Sequence, residues 1–249
     1  MTLDLGRMRR EYETDGIDVD DLAPDPIDQF RRWLQVAVEA GLAEANAMVV
    51  STVDPDGQPW SRYVLLKSAT GAGFDFYTNY GSAKSTQLDG NPRVALTFGW
   101  VELRRQVNIT GTAARVPATE SDAYWAVRPR GSQLGAWASP QSTELSSRQE
   151  LLDRYGRAEA DHPDAVDRPP HWGGWRVRPT TIEFWQGRSN RLHDRLRYVP
   201  AGAAEVGAGP GVGDGEVDRV GEVDRVGEVD GVGEGDQAPT RWRVVRLAP

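Results

Sequence analysis

The segment from Glu183 to Arg195 holds the densest group of side chains that could do chemistry. A tryptophan, three arginines and a histidine fall close together there, at Trp185, Arg188, Arg191, His193 and Arg195. Guanidinium groups bind carboxylates and phosphates through charge-assisted hydrogen bonds, and an imidazole between them can move a proton near neutral pH. The chain has only 3 His, so His193 is a candidate functional residue, with a structural histidine as the alternative.

A second group surrounds the start of a short predicted helix at residue 82. Hydroxyls and an amine gather there, in Tyr77, Thr78, Tyr80, Ser82 and Lys84. The first backbone N–H groups of a helix have no intrahelical partner and favour an anion. The pattern therefore predicts a phosphate site.

The sequence from Arg128 to Gln133 indicates another anion site. It places two guanidinium groups and the hydroxyl of Ser132 around a predicted turn. Tyr124 comes four residues before Arg128, which would put the two side chains on one face of a helix. We therefore expect a second anion to bind here.

Residues 62–67, Arg-Tyr-Val-Leu-Leu-Lys, read as a strand with a charge at each end. A strand with solvated ends is the alternative to a binding strand. Lysine usage favours binding, because 27 of the 29 basic residues are Arg and only Lys67 and Lys84 are Lys. A chain that prefers Arg should keep Lys where a compact ammonium is needed. The alternative is that these two lysines lie at surface positions and remain there by chance.

Composition narrows the class of protein. The net charge of −8 lies within residues 201–240, so the rest of the chain is neutral. No run of basic residues is longer than two. Both observations disfavour nucleic-acid binding. There is no Cys, which excludes disulfides and thiolate chemistry. Dinucleotide-binding, phosphate-loop and nucleophile-elbow motifs are missing. The sequence predicts neither a signal peptide nor a membrane span, and we expect a cytoplasmic protein without a metal site.

The elements that must position these groups are mainly β. A helix is predicted from Pro26, capped by Asp25 and closed by Gly41. Strands are predicted at 47–53, 63–66, 74–77, 93–98, 106–116, 175–177, 181–185 and 241–247, and further helices at 82–88, from 119 and at 144–160. A turn from Asp54 to Gly57 is predicted to join the first two strands in a hairpin. Five strands with short connections between 47 and 116 favour an antiparallel β-barrel with peripheral helices over a doubly wound sheet.

Residues 201–240 differ from the rest of the chain. They repeat Gly-Glu-Val-Asp-Arg-Val from Gly215 and contain no aromatic residue, Leu or Ile. Such a segment cannot bury enough apolar surface to order itself, so we predict a disordered insertion that loops out between two paired strands. A calcium-binding repeat is the alternative, but the period of six is wrong for it. The predicted organisation is a segment 1–24 and one domain 25–249 interrupted by this insertion.

Taken together, these residues resemble the pyridoxine/pyridoxamine 5'-phosphate oxidase family. The markers are Arg-x-Val-Leu-Leu-Lys at 62–67, Phe-Tyr-Thr-Asn at 76–79, Asn-Pro-Arg-Val at 91–94, Arg-Gln-Val at 105–107, Arg-Pro-Arg-x-Ser-Gln at 128–133, Gly-Ala-Trp at 135–137, Glu-Phe-Trp-Gln at 183–186 and Arg-Leu-His-Asp-Arg at 191–195. The last is the most specific, because looser relatives with the same barrel usually lack it. The resemblance runs from Met8 to Pro249 and leaves out only 201–240.

The resemblance implies an FMN-binding split β-barrel that works as a homodimer with two flavins at the subunit interface. It implies hydride transfer from C4' of pyridoxamine or pyridoxine 5'-phosphate to FMN, reoxidation by O2 with release of H2O2, and hydrolysis of the imine from the amine substrate to pyridoxal 5'-phosphate and ammonia.

The resemblance also assigns residues. For FMN they are Arg62, Tyr63, Val64, Leu65, Leu66, Lys67, Tyr77, Thr78, Lys84, Gln106, Gln141, Ser142, Trp185 and Arg195. For the substrate they are Arg9, Arg10, Glu11, Tyr12, Lys67, Tyr124, Arg128, Ser132, Arg191, Leu192 and His193, with residues 9–12 in a mobile segment that covers the bound substrate. Arg191 and His193 would be the catalytic pair that faces the pyridine ring.

One position departs from the family pattern. Gly-Ser-Arg-Lys is usual at the phosphate of FMN, and this chain has Ala83 in place of the Arg. A missing charge-assisted contact predicts weaker FMN binding. Two alternatives stay open: an oxidase of the same barrel that acts on another substrate, such as a phenazine precursor, and a non-catalytic carrier of FMN or pyridoxal phosphate.

Overall fold

The computed structural model describes residues 4, 5, 8, 11–202 and 241–249. The chain divides into two compact units. Unit 1 comprises Met1–Leu42, Trp100–Val107 and Thr180–Pro249, and unit 2 comprises Ala43–Gly99 and Asn108–Pro179. The expectations for Arg9, Arg10 and residues 203–240 lie outside the described residues.

Unit 2 contains most of the sheet. The strands are β1 (Ala47–Val53), β2 (Pro59–Leu65), β3 (Ser68–Thr70), β4 (Gly73–Asn79), β5 (Arg93–Trp100), β6 (Arg105–Arg115) and β7 (Trp172–Gln186), and the ends of β5, β6 and β7 extend into the residues of unit 1. Their hydrogen-bonded order is β2-β1-β5-β6-β7-β4-β3. The pairs β1–β2, β1–β5, β3–β4 and β4–β7 are antiparallel, as predicted for a barrel-type sheet.

The β1–β2 hairpin forms where the sequence predicts it. The Asp54 carboxylate accepts hydrogen bonds from the backbone N–H groups of Asp56 and Gln58 at 3.0 and 2.9 Å. Gly57 has φ 85, a conformation that glycine adopts at little cost. These local bonds hold β2, which carries Arg62, in register with β1.

Four helices belong to unit 2: α2 (Ala83–Gly90), α3 (Ala118–Ala126), α4 (Arg130–Ala138) and α5 (Arg148–Asp161). The last three enclose a small core with Trp172, made of Trp125, Leu134, Ala138, Ala158 and Val166. The indole Nε1 of Trp125 donates to the Val166 carbonyl at 2.6 Å. This core fixes the segment that carries Tyr124, Arg128 and Ser132.

Unit 1 is built on α1 (Pro26–Glu39), β8 (Asp194–Pro200) and β9 (Trp242–Arg246). The Asp25 carboxylate caps α1 by accepting from the backbone of Ile27 at 2.6 Å, which confirms the predicted start. The buried face of the helix packs through Trp33 on Phe184, with ring centroids 5.1 Å apart. Strand β8 pairs with the C-terminal part of β7 and with β9.

Several predicted bounds are wrong. The two strands predicted at 175–177 and 181–185 are one strand, β7. Pro179 lies within this strand, but proline removes a single donor and the chain on both sides of it remains paired. The predicted turn after Arg128 is the start of α4, with Pro129 as its N-cap residue. Arg128 itself lies beyond the end of α3.

The strands that flank residues 201–240 are paired with each other, as predicted. Pro200 is the register partner of Trp242, and the backbone N–H of Ala201 donates to the Arg241 carbonyl at 2.7 Å. We therefore expect that replacing 203–240 by Asn-Gly leaves the melting temperature within a few degrees and the activity unchanged, because β8 and β9 already meet at this point. Thermal melting and steady-state kinetics test this, and a loss of folding or of oligomerisation would contradict it.

Within the part of the chain that the structure describes, no helix combines the length and the apolar character needed to cross a membrane.

Candidate active site

Lys84 is a buried cation with neutral partners. Its side chain lies near the start of α2, and its Nζ donates to Thr78 Oγ1 at 2.9 Å, to Gln141 Oε1 at 3.1 Å and to Ser82 Oγ at 3.2 Å. Only 8% of the residue is exposed. Burial, and then the charge of Arg62, lowers the pKa of Lys84 to about 8. A cation held without a carboxylate in this way is suited to an incoming anion.

The start of α2 adds unsatisfied donors. Ser82 is its N-cap residue and makes no side-chain capping bond. Its hydroxyl instead accepts from Lys84 and donates to Ser85 Oγ at 3.4 Å. The first N–H groups of an eight-residue helix therefore lie beside the ammonium group, which is the arrangement predicted from the sequence for a phosphate.

Arg62 supplies a second cation with neutral partners. Its guanidinium donates to Thr52 Oγ1 at 2.5 Å and to Gln87 Oε1 at 3.1 Å. Burial lowers its pKa. No ion pair of Arg62 or Lys84 with an acidic side chain occurs in the described ranges. The donor set of Arg62, Lys84, Thr78 and the start of α2 thus fits the phosphate of FMN, whereas the exposed Ala83 contributes no charge.

This geometry makes the stability of the ligand-free protein depend on pH. The pKa of Lys84 in the folded protein, about 8, lies below its ordinary value of 10.5. Below pH 8, the burial of the protonated lysine therefore lowers the unfolding free energy by its full amount. This loss of unfolding free energy disappears as the pH rises from about 8 to about 10.5. We expect the difference in unfolding free energy between the Lys84→Met variant and the wild type to shrink from pH 7 to pH 10. Urea titrations of both FMN-free proteins measure it; a constant difference would contradict the assigned burial.

The second group of candidate side chains in unit 2 is a stack of three aromatic rings. Tyr77 and Tyr124 lie 4.2 Å apart at 28°, and Tyr124 and Trp172 lie 6.1 Å apart at 14°. Burial, and then the charge of Asp75, raises the pKa of Tyr77 to about 12. The Lys67 ammonium lies 5.9 Å from the Tyr124 ring. The stack therefore presents neutral rings next to a cation.

Arg128 completes this group. Its guanidinium lies 4.7 Å from the Trp172 ring and 6.0 Å from that of Tyr124, and it donates to the Ser132 carbonyl at 3.1 Å. Its Nε is buried without a hydrogen-bond partner in the described part of the chain. The structure thus brings together Lys67, Tyr124, Arg128 and Ser132, although Arg128 is not on the helix of Tyr124 as the sequence predicted.

Trp172 is the residue that sequence reasoning missed. Its role arises from packing against residues distant in the sequence, which no local pattern reveals. Gly174, two residues further on, leaves room for the stack, since a Cβ there would lie 2.7 Å from the Tyr77 ring. Only glycine leaves room for that ring.

Unit 1 holds the third group, around His193. The imidazole lies 4.7 Å from the Trp185 ring and 5.8 Å from the Tyr12 ring. The backbone N–H of Arg188 donates to His193 Nδ1 at 3.0 Å. Because Nδ1 accepts this bond, a neutral His193 carries its proton on Nε2 and can donate it to a ligand.

The arginines of this segment divide into two kinds. Arg188 pairs with Asp194 at 3.1 Å, and Arg195 pairs with Glu183 at 2.9 Å. Arg191 is exposed, has φ 62, and makes no ion pair with the described residues. Of the three, Arg191 therefore has the guanidinium that is most available to a ligand.

The remaining predicted residues are less closely tied to these groups. Tyr63 is 80% exposed and Leu192 66% exposed, whereas Leu66 is buried. Val64, Leu65 and Gln106 are half-buried. Ser142 is exposed with φ 72, and the Glu11 carboxylate accepts from the backbone N–H of Asn190 at 3.4 Å. Their roles toward a ligand stay predictions.

Two family profiles match the chain. The family described as pyridoxamine 5'-phosphate oxidase matches residues 34–160. The one described as pyridoxine 5'-phosphate oxidase C-terminal dimerisation region matches residues 172–249. Together they cover most of the chain, including all three groups of side chains except Tyr12.

The chain is also similar to curated proteins over most of their length. The pyridoxine/pyridoxamine 5'-phosphate oxidase of Rubrobacter xylanophilus is 58% identical over 200 residues, which cover 80% of this chain and 92% of that protein. The protein of the same name from Nocardioides sp. is 54% identical over 79% of this chain and 92% of its own. That from Cupriavidus necator is 50% identical over 81% of this chain and 96% of its own.

Solved structures share the architecture. PhzG from Burkholderia lata, in complex with tetrahydrophenazine-1-carboxylic acid, has a TM-score of 0.75 and 27% identity over 94% of this chain and 98% of its own. A pyridoxamine 5'-phosphate oxidase-related, FMN binding protein from Nostoc punctiforme has a TM-score of 0.62 and 16% identity over 92% of this chain and 100% of its own. These similarities confirm the predicted split β-barrel fold.

Proposed function

Since the chain belongs to the pyridoxamine 5'-phosphate oxidase family, a family of FMN-dependent oxidoreductases, we propose that it binds FMN and oxidises pyridoxamine or pyridoxine 5'-phosphate to pyridoxal 5'-phosphate, with O2 as the acceptor. H2O2 is the second product, and the amine substrate also yields ammonia. The observation that carries the proposal is the buried Lys84, whose ammonium group has three neutral oxygen partners.

The phosphate of FMN is assigned to Lys84, Arg62, Thr78 and the first N–H groups of α2. These groups supply two positive charges and several donors, which suits a dianion. Gln141 orients the Lys84 ammonium through its side-chain oxygen. When bound, FMN supplies the hydride acceptor and the reaction with oxygen. The protein contributes binding and orientation.

The phosphate of the substrate is assigned to Lys67, Tyr124, Arg128 and Ser132. The buried, unpartnered Nε of Arg128 supports this role, because a buried donor without a partner costs free energy that an anion would recover. Stacking on Trp172 limits the positions of the Arg128 guanidinium. A phosphate held in this way fixes the substrate at one end.

The ring of the substrate is assigned to Arg191 and His193. The Arg188 amide fixes the imidazole so that its Nε2 donates. The exposed Arg191 guanidinium offers further donors. Such groups can orient the reacting carbon and the oxygen substituent of a pyridine ring, and orientation of this kind lowers the barrier of a reaction between two bound partners.

We further infer that the protein works as a homodimer. The support is the match of residues 172–249 to a dimerisation region. Sedimentation of the purified protein tests this, with a dimer expected and a monomer at micromolar concentration as the contrary result.

The rival substrate class is that of phenazine precursors, as in the PhzG complex. The 58% identity to a pyridoxine/pyridoxamine 5'-phosphate oxidase exceeds the 27% identity to PhzG, and the group around Arg128 suits a phosphate. The comparison of kcat/KM for pyridoxine 5'-phosphate and for unphosphorylated pyridoxine tests the assignment. We expect a strong preference for the phosphate ester; equal values would favour a substrate without phosphate.

A further inference from the structure

The Tyr12 ring is held by three side chains of unit 1. Its centroid lies 6.3 Å from that of Trp185 with the rings at 86°, and 5.8 Å from that of His193. The Arg104 guanidinium carbon lies 5.1 Å from it. An edge-to-face contact and a cation over a ring face are both attractive, so Tyr12 occupies a defined place beside the candidate catalytic histidine.

Gly187 provides the space for this ring. A Cβ at this position would lie 2.6 Å from Tyr12 Cδ2, 3.1 Å from Arg104 Cβ and 3.2 Å from Trp185 Cη2. The backbone of Gly187 is not in the left-handed region, so the missing side chain is the property that matters. The Gly187 carbonyl also accepts from Thr14 Oγ1 at 2.5 Å, two residues after the tyrosine.

Hydrogen bonds hold Arg104 where its guanidinium contacts the Tyr12 ring. It has φ 55, a left-handed conformation that is costly for a residue with a side chain. Its carbonyl accepts from the backbone N–H of Gly187 at 2.8 Å and from Gln186 Nε2 at 3.2 Å. Its Nη1 donates to the Val101 carbonyl at 2.5 Å. These bonds fix the guanidinium over the Tyr12 ring.

We propose that Gly187 and Arg104 form a seat for Tyr12 and are positioning residues of the enzyme. The seat holds the tyrosine ring against Trp185 and His193, and thereby fixes Tyr12 beside a group assigned to the substrate ring. The effect on turnover rests on the proposed function, whereas the seating of Tyr12 does not.

Chymotrypsin tests the seat without any substrate, because it cleaves after Tyr12 only when that residue leaves its place. We expect Gly187→Ala to accelerate this cleavage by about tenfold or more, since each tenfold corresponds to 1.4 kcal/mol of lost docking free energy. The matched control is Gly156→Ala, whose added Cβ meets nothing within 4 Å. Equal cleavage of Gly187→Ala and the wild type would overturn the proposal.

Turnover gives the second readout. Gly187→Ala should lower kcat/KM roughly 10- to 100-fold, as expected for a small displacement of a positioning group, with the FMN affinity unchanged. The double variant with Tyr12→Ala should be no worse than Tyr12→Ala alone; additive losses would overturn the proposal. Should Gly187→Ala fail to fold, Arg104→Asn removes the cation and tolerates the left-handed conformation, and it should accelerate cleavage in the same direction.

If chymotrypsin shows the seat but neither the wild type nor any variant turns over pyridoxine 5'-phosphate, the proposed function fails and the seat stands. If turnover is normal in Gly187→Ala, the positioning role of Gly187 fails and the proposed function stands.

Discussion

Replacing Lys84 by methionine is expected to weaken FMN binding roughly 10- to 100-fold, the value of one charge-assisted hydrogen bond. The reason is that the ammonium group is buried among Thr78, Ser82 and Gln141 and would gain its only anionic partner from the ligand. In the FMN-free protein the same substitution removes a desolvated charge, so the folded state should be at least as stable as the wild type at pH 7. Flavin fluorescence titration and thermal melting measure the two effects.

Riboflavin is the control for this prediction, because it has the flavin ring without the phosphate. Its affinity should be the same for the Lys84→Met variant and the wild type. The reciprocal variant, Ala83→Arg, should tighten FMN binding by restoring a charge at the start of α2. An unchanged FMN affinity in Lys84→Met would show that the phosphate does not bind at this lysine.

The second large effect is expected at Arg191. Arg191→Ala should lower kcat/KM roughly 100-fold, the scale on which misplacing a bound substrate slows a reaction, with FMN affinity within about twofold of the wild type, because the phosphate group of the cofactor is assigned to other residues. The guanidinium is exposed and makes no ion pair with the described residues, so its removal should not destabilise the fold. Steady-state kinetics with pyridoxine 5'-phosphate measure the loss.

Arg157→Ala is the matched control for Arg191→Ala. Arg157 is an exposed arginine on α5, in the unit that does not contain the His193 group. Its loss should leave kcat/KM unchanged. If Arg191→Ala had the same kcat/KM as this control, the assigned role of Arg191 would be wrong.

Local patterns predict the parts of the structure that depend on neighbouring residues. Asp25 and Pro26 identify the start of α1 because capping bonds span only a few positions. Asp54 and Gly57 identify the β1–β2 turn for the same reason. The scarcity of lysine singled out Lys84, and the structure places it in a buried group of neutral oxygens.

Contacts between distant segments could not be predicted in this way. Glu183 binds both Arg195 and Arg197 across the β7–β8 pair, and Arg188 pairs with Asp194, so two of the three arginines in the densest sequence cluster are ion-pair partners in the fold. Trp172 contacts the Arg128 guanidinium although the two residues are far apart in the sequence. Gly187 receives Tyr12, which lies near the opposite end of the chain. Each contact depends on the folded sheet rather than on local spacing.

The most direct test of the account is oxygen consumption by the purified, FMN-loaded protein, with pyridoxamine 5'-phosphate and pyridoxine 5'-phosphate supplied in parallel and pyridoxal 5'-phosphate followed by absorbance. The account predicts that one or both substrates consume O2 in equal amount to the aldehyde formed. An intact flavin spectrum with no oxygen uptake from either substrate would contradict it and would favour a carrier of FMN or pyridoxal phosphate.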